Sequence, residues 1–186
     1  MPSCCNARGC DGFFTARMAK RAADRYRRKG LDKTAKRMLA FLEGQGIQGA
    51  TVLEIGGGVG EVQIELLKRG AAHALNLELS PGYDEEAMRL VREAALEGRT
   101  ERRLHDVATD SGGVEPADVV VLHRVVCCYT DYERLLGAAA DHGGHGVALE
   151  RDEIVGVSFE PFEECGVADQ RNLHRLGHAG DLVAWR

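Results

Sequence analysis

No stretch of this 186-residue chain is apolar for long enough to span a bilayer. The first residues lack the apolar centre of a secretion signal. The sequence therefore reads as a cytoplasmic protein without a membrane contact. Aromatic residues make up only 5% of the chain. In the basic N-terminal segment they are too sparse for a base-stacking platform. Six cysteines are present, as Cys4-Cys5, Cys10, Cys127-Cys128 and Cys165, and their spacing matches no standard zinc or iron–sulfur ligand set. In a reducing compartment they are thiols rather than a disulfide frame, and no metal site is expected.

With 44% hydrophobic and 28% charged residues, the chain can bury one core and fold as a single domain. Its net charge of −5 is unevenly placed. Residues 8–37 hold eleven lysines and arginines against three acids, and the remainder holds thirteen against 26. A basic segment on an acidic body can attract an anionic partner; a solvated helix face is the commoner explanation of such a charge run.

Apolar residues recur at helical spacing from Phe13 to Tyr26, and again from Leu31 to Leu42. Two helices thus precede the first strand, Thr51 to Ile55. Strands and helices then alternate. Helices are predicted over residues 59–69 and 84–97 and after a capping box at Thr130-Asp131-Tyr132-Glu133. Strands are predicted over 74–78, 100–104, 118–122 and 146–150. The third carries three charges and reads as an edge strand. Such alternation predicts an α/β fold: a Rossmann-like, doubly wound, mostly parallel sheet with helices on both faces. Its parts are a Cys-containing helical cap over residues 1–48, a cofactor-binding core over 49–150 and a divergent segment over 151–186. The 36 residues after Glu150 are a tight fit for a helix and two strands of ordinary length. The C-terminal part of the sheet is therefore expected to be incomplete, through divergence or a shifted reading frame near residue 140.

The run Leu53-Glu54-Ile55-Gly56-Gly57-Gly58-Val59-Gly60 ends a strand on glycines and opens a helix. Glycine lets the backbone pass close beneath a ligand, and the helix N-terminus points free N–H groups at the same place. A dinucleotide fingerprint requires glycine at position 61, which is Glu61, and a phosphate loop requires a Lys-Ser/Thr pair that is missing.

This run resembles motif I of the class I S-adenosylmethionine-dependent methyltransferases. The resemblance covers about residues 50–140. It implies that Gly56, Gly57, Gly58 and Gly60 cradle S-adenosyl-L-methionine, and that Glu54 faces its methionine end. It also implies that Glu78, followed by Leu79, binds the ribose hydroxyls, and that Asp106 lies near the adenine amino group. The wider pattern is similar to a bacterial branch of such enzymes. The Arg124–Tyr129 segment has a short likeness to magnesium-protoporphyrin O-methyltransferases.

Ligands of open α/β sheets sit at the carboxyl ends of the strands. That places His123, Arg124 and Tyr129 beside the transferred methyl, with His123 as candidate base and Arg124 as candidate clamp for a carboxylate. His105 reads as exposed rather than catalytic. The expected function is methyl transfer to a small-molecule acceptor, weakly favoured to be anionic. The alternatives are a catalytically silent binding module and a nucleic-acid methyltransferase. The acidic body and the missing Asn/Asp-Pro-Pro-aromatic motif count against the last.

Overall fold

The computed structural model describes residues 14–150 and 154–157. Cys4, Cys5 and Cys10, and most of the segment 151–186, lie outside these residues. The elements are α1 (Ala16–Lys29), α2 (Lys33–Gly44), β1 (Thr51–Ile55), α3 (Glu61–Lys68), β2 (His73–Glu78), α4 (Asp84–Glu93), β3 (Thr100–Leu104), β4 (Ala117–His123), α5 (Tyr132–His142), β5 (Gly143–Glu150) and β6 (Ile154–Val157).

The strands form one sheet in the order β3-β2-β1-β4-β5-β6. All neighbouring pairs are parallel except β5 with β6, which is antiparallel. The Rossmann-like α/β architecture is thus as expected. β5 covers the strand expected over 146–150, and β6 adds a sixth, antiparallel strand; residues 158–186 lie outside the described residues. The edge position read for the third strand is also borne out, since β3 is outermost and its residues are half-buried or exposed.

Side chains alternate across the sheet with period 2, and both faces are covered. In β4, Val119 and Val121 pack with the α1–α4 side, and Val120 and Leu122 pack with Leu135 and Ala139 of α5. The small Ala19 and Ala23 are completely buried on the inner side of α1, which lets it lie close to α4. Polar bonds then hold it. Tyr26 donates its hydroxyl to Glu65 Oε1 at 2.6 Å. Arg27 donates to both carboxylate oxygens of Glu93 at 2.9 and 2.8 Å.

Three boundaries differ from expectation for local reasons. The helix after the glycines starts at Glu61, two residues late, because Gly60 is a left-handed N-cap. The helix predicted to reach residue 97 stops at Glu93, where the chain turns through Ala95 at φ 55°. The cap of α5 is Asp131 rather than Thr130, accepting from Arg134 N–H at 3.1 Å.

Candidate active site

The strand order reverses between β1 and β4, so the loops leaving their carboxyl ends diverge and open a crevice. The main cavity among the described residues lies there. Its floor is Gly56–Gly58, its far wall Glu78 and Leu79, and its sides include Asp106, His123, Arg124, Val125 and Tyr129. The start of α1 and its approach close the top, through Phe14, Ala22 and Arg25. The structure therefore gathers His123, three of the four glycines, Glu78, Leu79 and Asp106 around one space.

Glu78 ends β2 and bends its carboxylate back into the loops. Oε2 accepts from Gly58 N–H at 2.8 Å. Oε1 accepts from Leu79 N–H at 2.8 Å and from Ser80 N–H at 3.0 Å. A carboxylate has about four acceptor directions, so capacity remains toward the cavity. Asp106 is engaged differently. Both of its oxygens lie 2.9 Å from the Tyr129 hydroxyl, and Oδ1 accepts from Ala108 N–H at 3.1 Å. Burial and the Asp106 contact push the Tyr129 hydroxyl up to about 12. Tyr129 is thus turned to Asp106, away from the role beside the methyl expected from sequence. His105 lines the cavity too, its Nε2 within 2.6 Å of the Asp110 carbonyl oxygen.

Glu54 and Gly60, also expected at the cofactor, lie outside the cavity wall. Glu54 is 1% exposed and lies beneath the glycine loop. Its Oε2 accepts from Gln63 N–H at 3.3 Å and from Asn76 Nδ2 at 3.2 Å. Asn76 Oδ1 in turn accepts from Arg102, which also binds Asp84. A Cβ at Gly57 would run into Asn76 and Glu54. That glycine is therefore demanded by the floor beneath it. Gly60 starts α3 and would meet the Gln63 side chain.

Burial pushes the Glu54 carboxyl up to about 8, and the nearby Glu61 adds to the shift. A carboxyl raised on folding favours the folded chain in acid. That advantage is lost as pH climbs from the ordinary carboxyl range through about 8. Glu54→Gln should therefore leave stability unchanged near pH 4 and raise it by about 1–3 kcal/mol at pH 8.5. Urea unfolding at the two pH values measures this; equal effects at both would contradict it.

Arg25, Glu61, His123 and Arg124 line the other side of the cavity, and Asp32, outside the lining, joins three of them. Asp32 caps α2, with Oδ1 accepting from Ala35 N–H at 2.9 Å. The same carboxylate meets Arg124 at 3.1 Å, Arg25 at 3.8 Å and His123 Nε2 at 3.9 Å. Burial alone would raise the Asp32 carboxyl; Ala35 N–H, Arg124, His123 and Arg25 outweigh it and hold it below the usual range. Glu61, the first residue of α3, faces Arg25 at 3.3 Å, and burial raises its carboxyl. Arg124 sits at φ 60°, unusual for a side chain with a Cβ. The expected carboxylate clamp is thus ion-paired within the protein. Sequence reading did not place Arg25, Asp32 or Glu61 in the site. Asp32 is marked locally only as a helix cap, and tertiary packing alone brings it to β4.

Among the described residues no three His, Cys, Asp or Glu side chains converge on a metal-sized position. None of the helices there is long and apolar enough to cross a membrane.

No protein-family model matches the sequence. The chain is 29% identical over 153 residues to the ribosomal protein L11 methyltransferase of Serratia proteamaculans, covering 79% of this chain and 51% of that one. It is 28% identical to the same protein of Pectobacterium carotovorum, covering 79% and 50%. The chain thus spans about half the length of these relatives. Among solved structures, magnesium protoporphyrin IX methyltransferase of Synechocystis with bound S-adenosylhomocysteine superposes with a TM-score of 0.62. It is 19% identical, covering 76% of this chain and 70% of that one. An S-adenosylmethionine-dependent methyltransferase described from Methanococcus maripaludis gives 0.61 at 21% identity, covering 73% and 63%. The fold is that of the class I S-adenosylmethionine-dependent methyltransferases, as the resemblance implied, and the expected cofactor is the one bound in a second structure of the Synechocystis enzyme. The small-molecule acceptor is overturned: the curated relatives are named for a ribosomal protein, a polypeptide.

Proposed function

We propose that this chain transfers a methyl group from S-adenosylmethionine to a polypeptide acceptor, with residues 49–150 as the cofactor core and α1 and α2 as its cap. The observation that carries this is Glu78, whose carboxylate is pinned by three backbone N–H groups at the cavity wall with acceptor capacity to spare. Two vicinal hydroxyls of a ribose suit such an oxygen pair. Gly56–Gly58 would pass beneath the cofactor. Asp106, already steadied by Tyr129, would accept from the adenine amino group. When bound, S-adenosylmethionine supplies a methyl group on a cationic sulfur, open to in-line attack by an acceptor lone pair. The polypeptide acceptor is supported by the relatives named for a ribosomal protein.

His123 is the proton acceptor in this reading. Its ring is at the end of β4, faces the cavity and lies beside Asp32. Imidazole is suited to taking a proton near neutral pH, and general-base catalysis contributes about 10²–10⁴-fold. Asp32 is a positioning residue that fixes the ring and ties α2 to β4. The test combines calorimetric titration with S-adenosylmethionine and radiolabel transfer to purified ribosomal proteins. His123→Asn should lower kcat by about 10²-fold with cofactor affinity unchanged. Asp32→Asn retains an N-cap, and should lower kcat by about tenfold and shift the acid limb of its pH profile. Absence of cofactor binding by the parent protein would end the proposal. Binding without transfer to any polypeptide would replace it with a silent binding module.

A further inference from the structure

The cations of α1 and α2 divide into two sets. Those facing the body are engaged: Arg25 with Glu61 and Asp32, and Arg27 with Glu86 and Glu93. Of those facing outward, Lys20 pairs with Asp24 and the rest make no ion pair among the described residues. Arg17, Arg21 and Arg28 on α1, and Lys33, Lys36 and Arg37 on α2, are all exposed. None of the six makes an ion pair among the described residues; elsewhere Arg69, Arg89, Arg102 and Arg103 do, while exposed Arg92 and Arg134 also make none. At 3.6 residues per turn, Arg17, Arg21 and Arg28 fall within about 40° of one another, a single stripe along α1. Ala22 and Arg25, next round the helix, line the cavity.

Helix electrostatics explains Arg28, in the last turn of α1, but not the cations of α2. A helix N-terminus is the positive end of its dipole, and cations there are unfavourable. In α2 the three cations crowd the first turns, with no acid in the first turn and no base in the last. The neighbouring helices are arranged the other way. α3 starts with Glu61 and ends with Lys68, and α4 starts with Asp84, Glu85 and Glu86 and has Arg92 in its last turn. Local rules that hold nearby and fail on one surface mark that surface as functional.

We propose that the outer face of α1 and α2 docks on the phosphate backbone of duplex RNA, and so presents a polypeptide held on that RNA to the cavity. The polypeptide half of this rests on the proposed function; the RNA contact stands on the charge pattern. Two observations select the partner. The large exposed apolar side chains are Met88 and Leu104, neither of them on α1 or α2, so the face has no anchor for a protein hot spot. Nor do α1 and α2 expose aromatics for stacking on single strands. A polyphosphate duplex requires neither, only spaced cations. RNA is favoured over DNA because the relatives act on a ribosomal protein.

Fluorescence anisotropy with a labelled 20-base-pair RNA duplex, between 50 and 200 mM salt, tests the proposal. Each phosphate neutralised contributes about 0.9 to the slope of log K against log salt, so four contacts give a slope of about −3.6 and about 150-fold weakening over this range. The triple charge reversal Arg17→Glu/Arg21→Glu/Arg28→Glu should lose at least tenfold in RNA affinity, as should Lys33→Gln/Lys36→Gln/Arg37→Gln on the other helix. Both should keep the parent's circular dichroism melt and its affinity for S-adenosylmethionine. No RNA binding at 50 mM salt, unchanged affinity in both folded variants, or tighter binding of a DNA duplex or a polyglutamate chain would each overturn it. RNA binding without methyl transfer would leave the docking surface standing and remove the proposed activity.

Discussion

Glu78→Ala is expected to reduce affinity for S-adenosylmethionine by at least 100-fold. Two charge-assisted bonds to a ribose, at about 1.5 kcal/mol or more each, account for that factor. A second loss accompanies it. Without the carboxylate, the N–H groups of Gly58, Leu79 and Ser80 lose their acceptor, and the loops after β1 and β2 are no longer tied together. Glu78→Gln separates the two effects, because the amide oxygen can accept some of the backbone bonds but carries no charge. Intermediate affinity, about tenfold weaker than the parent, is the expected result by calorimetry. Parent-like affinity in the alanine variant would remove Glu78 from the cofactor site.

Gly56→Ala should be the most damaging single substitution in the loop. Gly56 sits at φ 67°, and a Cβ there would collide with the Val125 side chain. The left-handed conformation costs about 1–2 kcal/mol for an alanine, and crowding a packed site adds about 1–3 kcal/mol. Together these amount to about 2–5 kcal/mol, a large share of the stability of a domain this size. Adding Val125→Ala should return the steric part only. The double variant should therefore melt between Gly56→Ala and the parent, although Val125→Ala alone destabilises. A double variant no better than Gly56→Ala would mean that backbone conformation carries the whole cost.

The parts of this molecule legible in the sequence are those set by local pattern. The edge position of β3 followed from Thr100-Glu101-Arg102-Arg103, since a buried parallel strand does not carry three charges. The cradle followed from glycine spacing, and Glu78 from its place at the end of β2. The surroundings of Glu54 were not legible, because its sequence position is compatible with facing upward or downward. Burial against Asn76 decides it, and Asn76 is 22 residues away. Arg25, Asp32 and Glu61 were missed for the same kind of reason. Each has a complete local account as helix face, cap or first turn, and only the docking of α1 and α2 over the sheet turns them toward one another. The proposed acceptor class lies outside local pattern altogether and rests on the names of the relatives.

The outer strand β3 bears on the behaviour of the purified protein. Among the described residues one side of its backbone has no neighbour in the sheet, which makes it a template on which a second chain could add a strand. Its exposed Leu104 would favour that. Glu101 and Arg103, paired with each other at 2.5 Å, crowd the same strand with charge that would have to be desolvated on stacking. These two side chains act as gatekeepers against aggregation, and concentrated solutions should cloud sooner when both are made neutral than when either helix of the cap is altered.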